Sequence, residues 1–418
     1  MHSGVFREGI VRYLRVTDAF PLVQSHLSPS TASEPRIQGW CPGALRPMPS
    51  GDGLVVRVRP TLGRLTPLQA QGLAGLAQQY ASPVLELTSR ANLQLRGVCP
   101  DSYPALINGL RSLGLLDEHA DVEARRNLLL SPFWTDSDGT PAICEAITLA
   151  LAAPDAPALP SKFGFAIDLS AQPVLRDASA DIRLERWGDQ VLVYADGAAT
   201  GACLPLAQAA QSAMELARWF VAHGGVVNGR GRMASLLKRQ ALPAPFTTAP
   251  VPTATAPTGT VGPSATGMVV GLEFGQLPAD TLHQLAAQAP LRVTPWRGLV
   301  LEGLHTPPAL PELISHPGDA RLRVAACTGA PGCTQALGPT RALARFLAPL
   351  LPAGRTAHVS GCSKGCAHHS ATLTLVASDA GFDLIDHGTA QSTPDATGLD
   401  AHGIAAYLEQ QRLHAPYV

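Results

Sequence analysis

The sequence predicts an α+β protein built from two similar halves. The segment that begins at Gly51 and the segment that begins at Gly267 both suggest a strand, a turn, an amphipathic helix and then two strands joined by a turn. Each segment opens on a strand-like run, VVRVRP in the first and VVGLEF in the second. This order of elements is typical of a ferredoxin-like half-domain, and we predict two copies, at 36–105 and 268–312.

A second kind of module follows each copy. After the first copy, KFGFAIDLS and QVLVYADG are typical of strands, and LAQAAQSAMELARWFVAHGG is typical of a helix. After the second copy, an amphipathic helix near 340–351 lies between two segments that contain glycine and cysteine. We therefore predict α/β modules at 106–241 and 313–418, in a pseudo-two-fold arrangement with an active site between the halves.

Two stretches are expected to lie outside these modules. Residues 242–267 carry almost no charge and have no apolar period, so we predict an extended linker or exposed loop. Residues 1–35 form an N-terminal extension that lacks the features of a secretory signal, and no stretch is apolar enough to span a bilayer. The net charge of −1 offers no basic field for nucleic acid. We expect a cytoplasmic protein without nucleic-acid or membrane partners.

Four of the eight cysteines lie in two short motifs. Cys327 and Cys333 belong to CTGAPGC, and Cys362 and Cys366 belong to CSKGC. Four thiolates from two glycine-containing loops can hold one [4Fe–4S] cluster, with one thiolate on each iron. The alternatives are a structural zinc site, whose cysteine pairs are usually closer in sequence, two disulfides, which are rare in the cytoplasm, and four unrelated buried cysteines. The spacing favours the cluster.

The remaining candidate ligands are less informative. The other four cysteines are scattered singly, as small buried hydrophobic residues are: Cys41, Cys99, Cys144 and Cys203. His368 and His369 are expected at the start of the strand ATLTLVAS, where adjacent side chains point to opposite faces. At most one of them could face the cluster, and a structural or solvated role is favoured for both.

These motifs resemble those of the sulfite and nitrite reductases. CTGAPGC and SGCSKGC resemble the cluster signature of that superfamily, whose last cysteine also bridges to the iron of a sirohaem. LTSRANLQLRGV resembles its Thr-Thr-Arg-Gln strand segment, and ARRNLLLSP and LPSKFGFAID resemble its Arg-Asn and Lys-x-Lys anion-site segments. The resemblance covers the chain from about Arg36 onward and implies that both α/β modules are of the sulfite/nitrite reductase type.

Within that superfamily the chain is most similar to the precorrin-3B synthases. The similarity is carried by GWCPGALRPMPSGDGLVVRVRP, KFGFAID and HVSGCSKGCAHHSATLTLVA. It implies a monooxygenase of aerobic cobalamin biosynthesis that converts precorrin-3A to precorrin-3B, with a hydroxyl at C20 and a γ-lactone closed by the ring-A acetate. Dioxygen and reducing equivalents are consumed.

Gly164 helps to separate this activity from reduction of a small anion. It stands where the second lysine of Lys-x-Lys is expected, so one cation of the reductase anion site is missing. Weaker anion polarisation and proton delivery would follow, and the space at Gly164 would suit a bulky substrate.

The resemblance also assigns a tetrapyrrole-binding site. The substrate-binding candidates are Arg46, Arg59, Arg90, Arg126, Asn127 and Lys162. Arg90 and Lys162 are also the catalytic candidates, and Arg46 is the weakest addition. Arginine suits this role because its planar fork binds carboxylates through two hydrogen bonds. We predict that these residues line one pocket beside the cluster; the alternative is that they are surface residues at strand ends.

The oxygen-activating centre is left open. A cubane with a thiolate on every iron has no open position for dioxygen, so a mononuclear iron, a sirohaem-type iron or the substrate itself would be needed. No G-x-G-x-x-G motif follows a strand, which favours an external electron donor. The alternative functions are a sirohaem-dependent sulfite or nitrite reductase and a non-catalytic iron–sulfur electron carrier.

Overall fold

The computed structural model describes residues 40–253 and 260–414. The predicted N-terminal extension at 1–35 lies outside the described residues. The helices are α1 (Pro67–Tyr80), α2 (Tyr103–Ser112), α3 (Ala120–Arg125), α4 (Thr140–Ala152), α5 (Leu206–Ala222), α6 (Met233–Leu236), α7 (Ala279–Ala286), α8 (Arg341–Leu347) and α9 (Ala401–His414). Among the described residues, none of these helices combines the length and apolar composition that a bilayer crossing requires.

The first copy of the repeated unit forms an antiparallel sheet with helix α1 on one face. Its strands, in the spatial order β1-β2-β5-β4, are β1 (Met48–Ser50), β2 (Gly53–Val58), β5 (Leu93–Val98) and β4 (Val84–Leu87). Val56 and Val58 enter the core, so the intervening Arg57 lies on the opposite face of the sheet. Helix α1 begins after Thr66, which forms a capping box with Gln69.

The second copy repeats this arrangement. Its strands, in the spatial order β12-β13-β16-β15, are β12 (Gly262–Pro263), β13 (Gly267–Leu272), β16 (Gly298–Glu302) and β15 (Leu291–Val293), and β17 (Leu313–Ile314) also pairs with β13. Helix α7 packs against α1. Leu73 and Ala77 of the first copy therefore share one hydrophobic core with Leu282 and Leu285 of the second.

Each copy also lends a short strand to the sheet of the other copy. β3 (Arg64–Leu65) pairs with β15, and β14 (Gln276–Pro278) pairs with β4. Both strands follow a tight turn with a residue in the left-handed region, Leu62 at φ 57° and Phe274 at φ 55°. This reciprocal exchange confirms the predicted duplication and its pseudo-two-fold arrangement.

The two α/β modules also share one topology. The first sheet contains β6 (Leu128–Leu130), β7 (Phe165–Asp168), β8 (Ile182–Trp187), β9 (Gln190–Ala195), β10 (Thr200–Leu204) and β11 (Ala249–Pro250). The second contains β18 (Val324–Ala326), β19 (Ala357–Ser360), β20 (Thr372–Ser378), β21 (Gly381–Gly388) and β22 (Ala396–Leu399). In both sheets the first three strands are parallel and the following strands are antiparallel.

The tract at 242–267, predicted as an extended linker or exposed loop, contains short regular elements. Its first part forms a 3-10 turn at Ala244–Thr247 and strand β11, and Phe246 is buried. Its last part forms β12, while residues 254–259 lie outside the described part. A strand of two residues is too short to show an alternating pattern in the sequence. Its pairing depends on the neighbouring sheet edge rather than on local sequence.

Candidate functional site

The four candidate cluster cysteines lie in two loops at one edge of the second module's sheet. Cys327 directly follows β18, and Cys362 follows the adjacent parallel strand β19. The backbone N–H of Gly361 donates to the Cys327 sulfur at 3.1 Å. Burial raises the pKa of Cys366, and the thiolates of Cys362, Cys327 and Cys333 raise it further. The structure therefore places the four thiols in adjacent loops, near enough for their charges to influence Cys366.

The side chains of these loops supply four thiols, which is the ligand set of an iron–sulfur cubane. All four thiols are free, so the disulfide alternative is not met. Within the described ranges, no three His, Cys, Asp or Glu side chains are grouped so as to hold one ion. A cubane needs no such group because each thiolate binds a different iron. Gly329, at φ 68°, packs against Thr340, where a Cβ would lie only 2.7 Å from the hydroxyl oxygen.

A polar face of the first sheet contacts the first cysteine loop. The Arg96 guanidinium donates to the carbonyl oxygen of Gly332 at 2.7 Å and forms two hydrogen bonds with Asp52, at 2.8 and 2.9 Å. The Ser50 hydroxyl donates to the same carbonyl at 2.8 Å. This contact joins the loop that carries Cys333 to the sheet of the other half.

The same face continues away from the cysteines to Arg57. The Gln94 amide donates to Glu86 at 3.0 Å, and Arg57 donates to the Gln94 oxygen at 3.1 Å. Arg57 also contacts the Cys41 thiol, and burial lowers the pKa of its guanidinium. Its Nε is buried and makes no hydrogen bond. A row of polar side chains thus connects the cysteine loop to an incompletely paired guanidinium.

Three guanidinium groups meet at the far end of this row: those of Arg57, Arg90 and Arg232. Burial lowers the pKa of Arg90, and the charges of Arg232 and Arg57 lower it further. Arg232 pairs with Asp181 at 2.9 Å. In the part of the chain that the structure describes, neither Arg57 nor Arg90 forms an ion pair with a carboxylate. The group therefore holds an excess of positive charge.

Arg90 lies in the turn between β4 and β5 and contacts the Lys162 segment. Its guanidinium donates to the Lys162 carbonyl oxygen and to the Ser179 hydroxyl, both at 3.3 Å. The Lys162 side chain itself is exposed. Gly164 is buried, and a Cβ there would lie 3.6 Å from Arg90 Nη1 and 3.2 Å from the Asn127 carbonyl oxygen. The expected open space at Gly164 is thus occupied by Arg90 and Asn127.

Three other candidates are engaged in contacts within the protein. Arg59 is buried, donates to the Glu123 carbonyl oxygen at 2.6 Å and lies 3.8 Å from the Glu123 carboxylate. Arg126 forms two hydrogen bonds with Asp117, at 2.6 and 3.0 Å. The Asn127 amide donates to three backbone carbonyls at 2.9 to 3.1 Å. Arg126 and Asn127 share a narrow pocket with Arg90. Burial lowers the pKa of Arg59, and the nearby charges of Arg57 and Arg126 lower it further.

Arg46 lies apart from this pocket. Its guanidinium stacks over the Trp40 ring at 4.4 Å. The segment before it is held by Glu123, whose carboxylate accepts from the Ala44 N–H at 2.6 Å and from the Leu45 N–H at 3.0 Å. Glu123 therefore positions the segment whose Gly43 carbonyl accepts from the Arg57 backbone N–H at 3.1 Å.

Comparisons with known proteins show which family the chain belongs to. Residues 46–113 match the nitrite/sulfite reductase ferredoxin-like half domain. The chain is 30% identical over 403 residues to a precorrin-3B synthase of Sinorhizobium sp, an alignment that covers 89% of this chain and 87% of that protein. The chain belongs to the precorrin-3B synthase family. The solved structure of the Mycobacterium tuberculosis NirA protein has a similar fold, with a TM-score of 0.62 at 18% identity, over 85% of this chain and 79% of that one.

Family membership confirms the prediction of an oxidoreductase enzyme. The sequence analysis did not single out two residues of the cation group, Arg57 and Arg232. Arg57 and Arg59 alternate with valines along β2. A charged residue inside this apolar run was the sequence feature that could have marked Arg57 as a candidate. Arg232 follows a glycine-containing loop and offered no comparable signal.

The histidines near the cysteine loops form a pair in this family member. His358 on β19 is buried, its Nε2 makes no hydrogen bond, and its ring centroid lies 6.0 Å from that of His368. Burial and the neighbouring histidines lower the pKa of His358 to about 4. His368 and His369 precede β20, so their expected placement at the start of that strand is wrong. Two imidazoles are fewer ligands than mononuclear iron oxygenases use, and a second iron centre stays a prediction.

We expect Asn127 to be a positioning residue rather than a ligand for substrate. Replacing it with alanine removes three hydrogen bonds to backbone carbonyls, so the free energy of unfolding should fall by about 1 to 3 kcal/mol. Chemical denaturation measures this change. The control is Asn108→Ala, at an exposed helix position, which should leave the free energy nearly unchanged. Equal stability of the two variants would contradict the role given to Asn127.

Proposed function

We propose that this chain is a precorrin-3B synthase that hydroxylates precorrin-3A at C20 while the ring-A acetate closes a γ-lactone. One atom of dioxygen enters the product, and the other leaves as water with two electrons and two protons. The observation that carries the proposal is the excess of positive charge at the partly buried Arg57, Arg90 and Arg232, joined by one polar sheet face to the loop that carries Cys333.

The charge excess favours a ligand with several carboxylates. Removing a guanidinium from water is costly unless a partner supplies opposite charge and hydrogen bonds. Arg57 hydrogen-bonds to the Gln94 amide oxygen and to the Cys41 sulfur, and Arg90 donates to a carbonyl and a hydroxyl. Carboxylate arms of a tetrapyrrole would supply the missing negative charge through charge-assisted hydrogen bonds. In this account Arg90 binds and orients the substrate, and Lys162 lies at the rim.

We further propose that Cys327, Cys333, Cys362 and Cys366 hold a [4Fe–4S] cluster. Such a cluster, when bound, passes single electrons to the reaction. The chain's own contribution is to hold the thiolates in two loops and to link the first loop to the substrate face through Arg96. The electrons come from an external donor, and a cytoplasmic location would keep the thiols reduced.

The two alternative functions account for fewer of these contacts. A sulfite or nitrite reductase would act on a small anion, yet the place of the second anion-site lysine is filled by Arg90 and Asn127 against Gly164. A simple electron carrier has no use for a group of three guanidiniums with one carboxylate partner. Hydroxylation of a polycarboxylate uses both the cysteines and the cations.

Turnover of the anaerobically purified protein tests this proposal. Reduced protein, precorrin-3A and dioxygen should give a product that is heavier by one oxygen atom and contains the lactone, as seen by mass spectrometry and NMR. A parallel reaction with sulfite should give no sulfide. Efficient sulfite reduction, with the intense absorbance of a bound sirohaem and no tetrapyrrole product, would replace this assignment with the reductase.

A further inference from the structure

Two adjoining clefts border this cation group on the side of Arg232 and Lys162. The first encloses about 380 Å³ between Lys162, residues 225–232 and the helix α6, and it is lined by Arg230, Arg232 and Arg239. The second encloses about 340 Å³ and is lined by Trp40, Arg46 and Arg230. Arg230 therefore stands between them. The volume of each cleft is near the lower limit for a small-molecule pocket. Each cleft therefore suits the substituent arms of a macrocycle rather than the whole macrocycle.

Both clefts are positively charged. No Asp or Glu is among their described lining residues. Arg239 donates to the Gly224 carbonyl oxygen at 2.6 Å, whereas the side chains of Arg230 and Lys162 form no hydrogen bond or ion pair within the described residues. Of the lining cations, Arg232 has a carboxylate partner, Asp181. The clefts thus present positive charge without matching negative charge.

A rigid turn presents Arg230 to the clefts. Val227 and Arg230 exchange two backbone hydrogen bonds, at 2.7 and 2.9 Å. The two residues between them, Asn228 and Gly229, both have positive φ, at 50° and 69°. Asn-Gly is the pair favoured in this two-residue hairpin turn. Because the backbone is fixed, less conformational entropy is lost when Arg230 binds a ligand.

We propose that Arg230, flanked by Lys162 and Arg46, binds carboxylate arms at the rim of the tetrapyrrole and selects polycarboxylates over less charged macrocycles. This inference rests on the proposed function, since it assumes that a tetrapyrrole occupies the adjoining cation group. Arg57 and Arg90 then bind the arms nearest the reacting carbon, and Arg230 in the loop at 225–232 binds arms that stay near solvent.

Equilibrium titration with two stable porphyrins tests the inference. Uroporphyrin has carboxylate arms on every pyrrole ring, and mesoporphyrin has far fewer. With the full-length protein, Arg230→Ala should weaken uroporphyrin binding about tenfold and mesoporphyrin binding much less, because one charge-assisted contact is lost. Arg230→Lys should restore part of the affinity, since it keeps the charge. The matched control is Arg218→Ala, whose side chain is exposed and pairs with Asp155 away from the clefts.

The outcomes separate this inference from the proposed function. Equal affinity changes for both porphyrins, or none, would overturn the role of Arg230 in selection. Competition by inorganic pyrophosphate at concentrations where citrate has no effect would assign the clefts to phosphate instead. Absence of precorrin-3A turnover, with Arg230-dependent selectivity intact, would contradict the synthase proposal and leave the carboxylate clefts in place.

Discussion

Replacing Cys333 with alanine should remove nearly all iron and acid-labile sulfide from the purified protein. The loss of one thiolate leaves one iron of the cubane without its protein ligand. Apart from the cluster, the two cysteine loops are joined by hydrogen bonds such as those from the Gly361 N–H to the Cys327 sulfur and from Lys364 to Gln335. Iron and sulfide per chain, with the electron paramagnetic resonance of the reduced protein, measure the effect. Part of the fold around the loops should become less stable as well.

The control for this experiment is Cys99→Ala. Cys99 is an exposed cysteine outside both motifs, so its replacement should leave iron and sulfide at the level of the parent protein. A Cys333→Ala protein that retained its full complement of both would show that the four cysteines do not hold one cluster.

Arg57→Ala and Arg90→Ala should each weaken precorrin-3A binding by roughly 30-fold or more. Loss of a charged hydrogen-bond partner from a buried carboxylate typically costs about 2 to 5 kcal/mol. Both guanidiniums lack a carboxylate partner within the described residues, so a substrate carboxylate gains full benefit from them. Binding is measured anaerobically by absorbance titration, and the iron content should not change.

Arg111→Ala is the charge-matched control, because Arg111 pairs with Asn108 on an exposed helix face. Arg59→Ala and Arg126→Ala should chiefly lower stability, since these residues pair with Glu123 and Asp117. If those two variants lost affinity and Arg57→Ala did not, the original assignment by motif would be the better one.

The duplicated fold could be predicted because its information is local. The apolar alternation of β2 and β13 and the amphipathic faces of α1 and α7 are visible within a few residues. The exchange of β3 and β14 could not be predicted, because each strand is two or three residues long and its partner lies in the other copy. Its edge pairing is decided by tertiary packing rather than propensity.

The candidate site also has one part that the sequence predicts and one part that it does not. The cysteine spacing is a local signal, and the structure gathers those thiols in adjacent loops. The cations depend on distant partners: Arg59 meets Glu123 across 64 residues of sequence. That contact leaves Arg57, rather than Arg59, without a carboxylate partner among the described residues. No single segment shows which arginine has an internal counter-ion, so the choice among them needed the packed structure.

A single-turnover reaction under isotopically heavy dioxygen tests the central claim most directly. Reduced protein and precorrin-3A are mixed with the labelled gas, and the product is analysed by mass spectrometry. The account predicts one heavy oxygen atom in the tetrapyrrole product, with yield lost in the Cys333→Ala and Arg90→Ala proteins. A product whose new oxygen came from solvent water, or unchanged precorrin-3A with a fully loaded cluster, would contradict it.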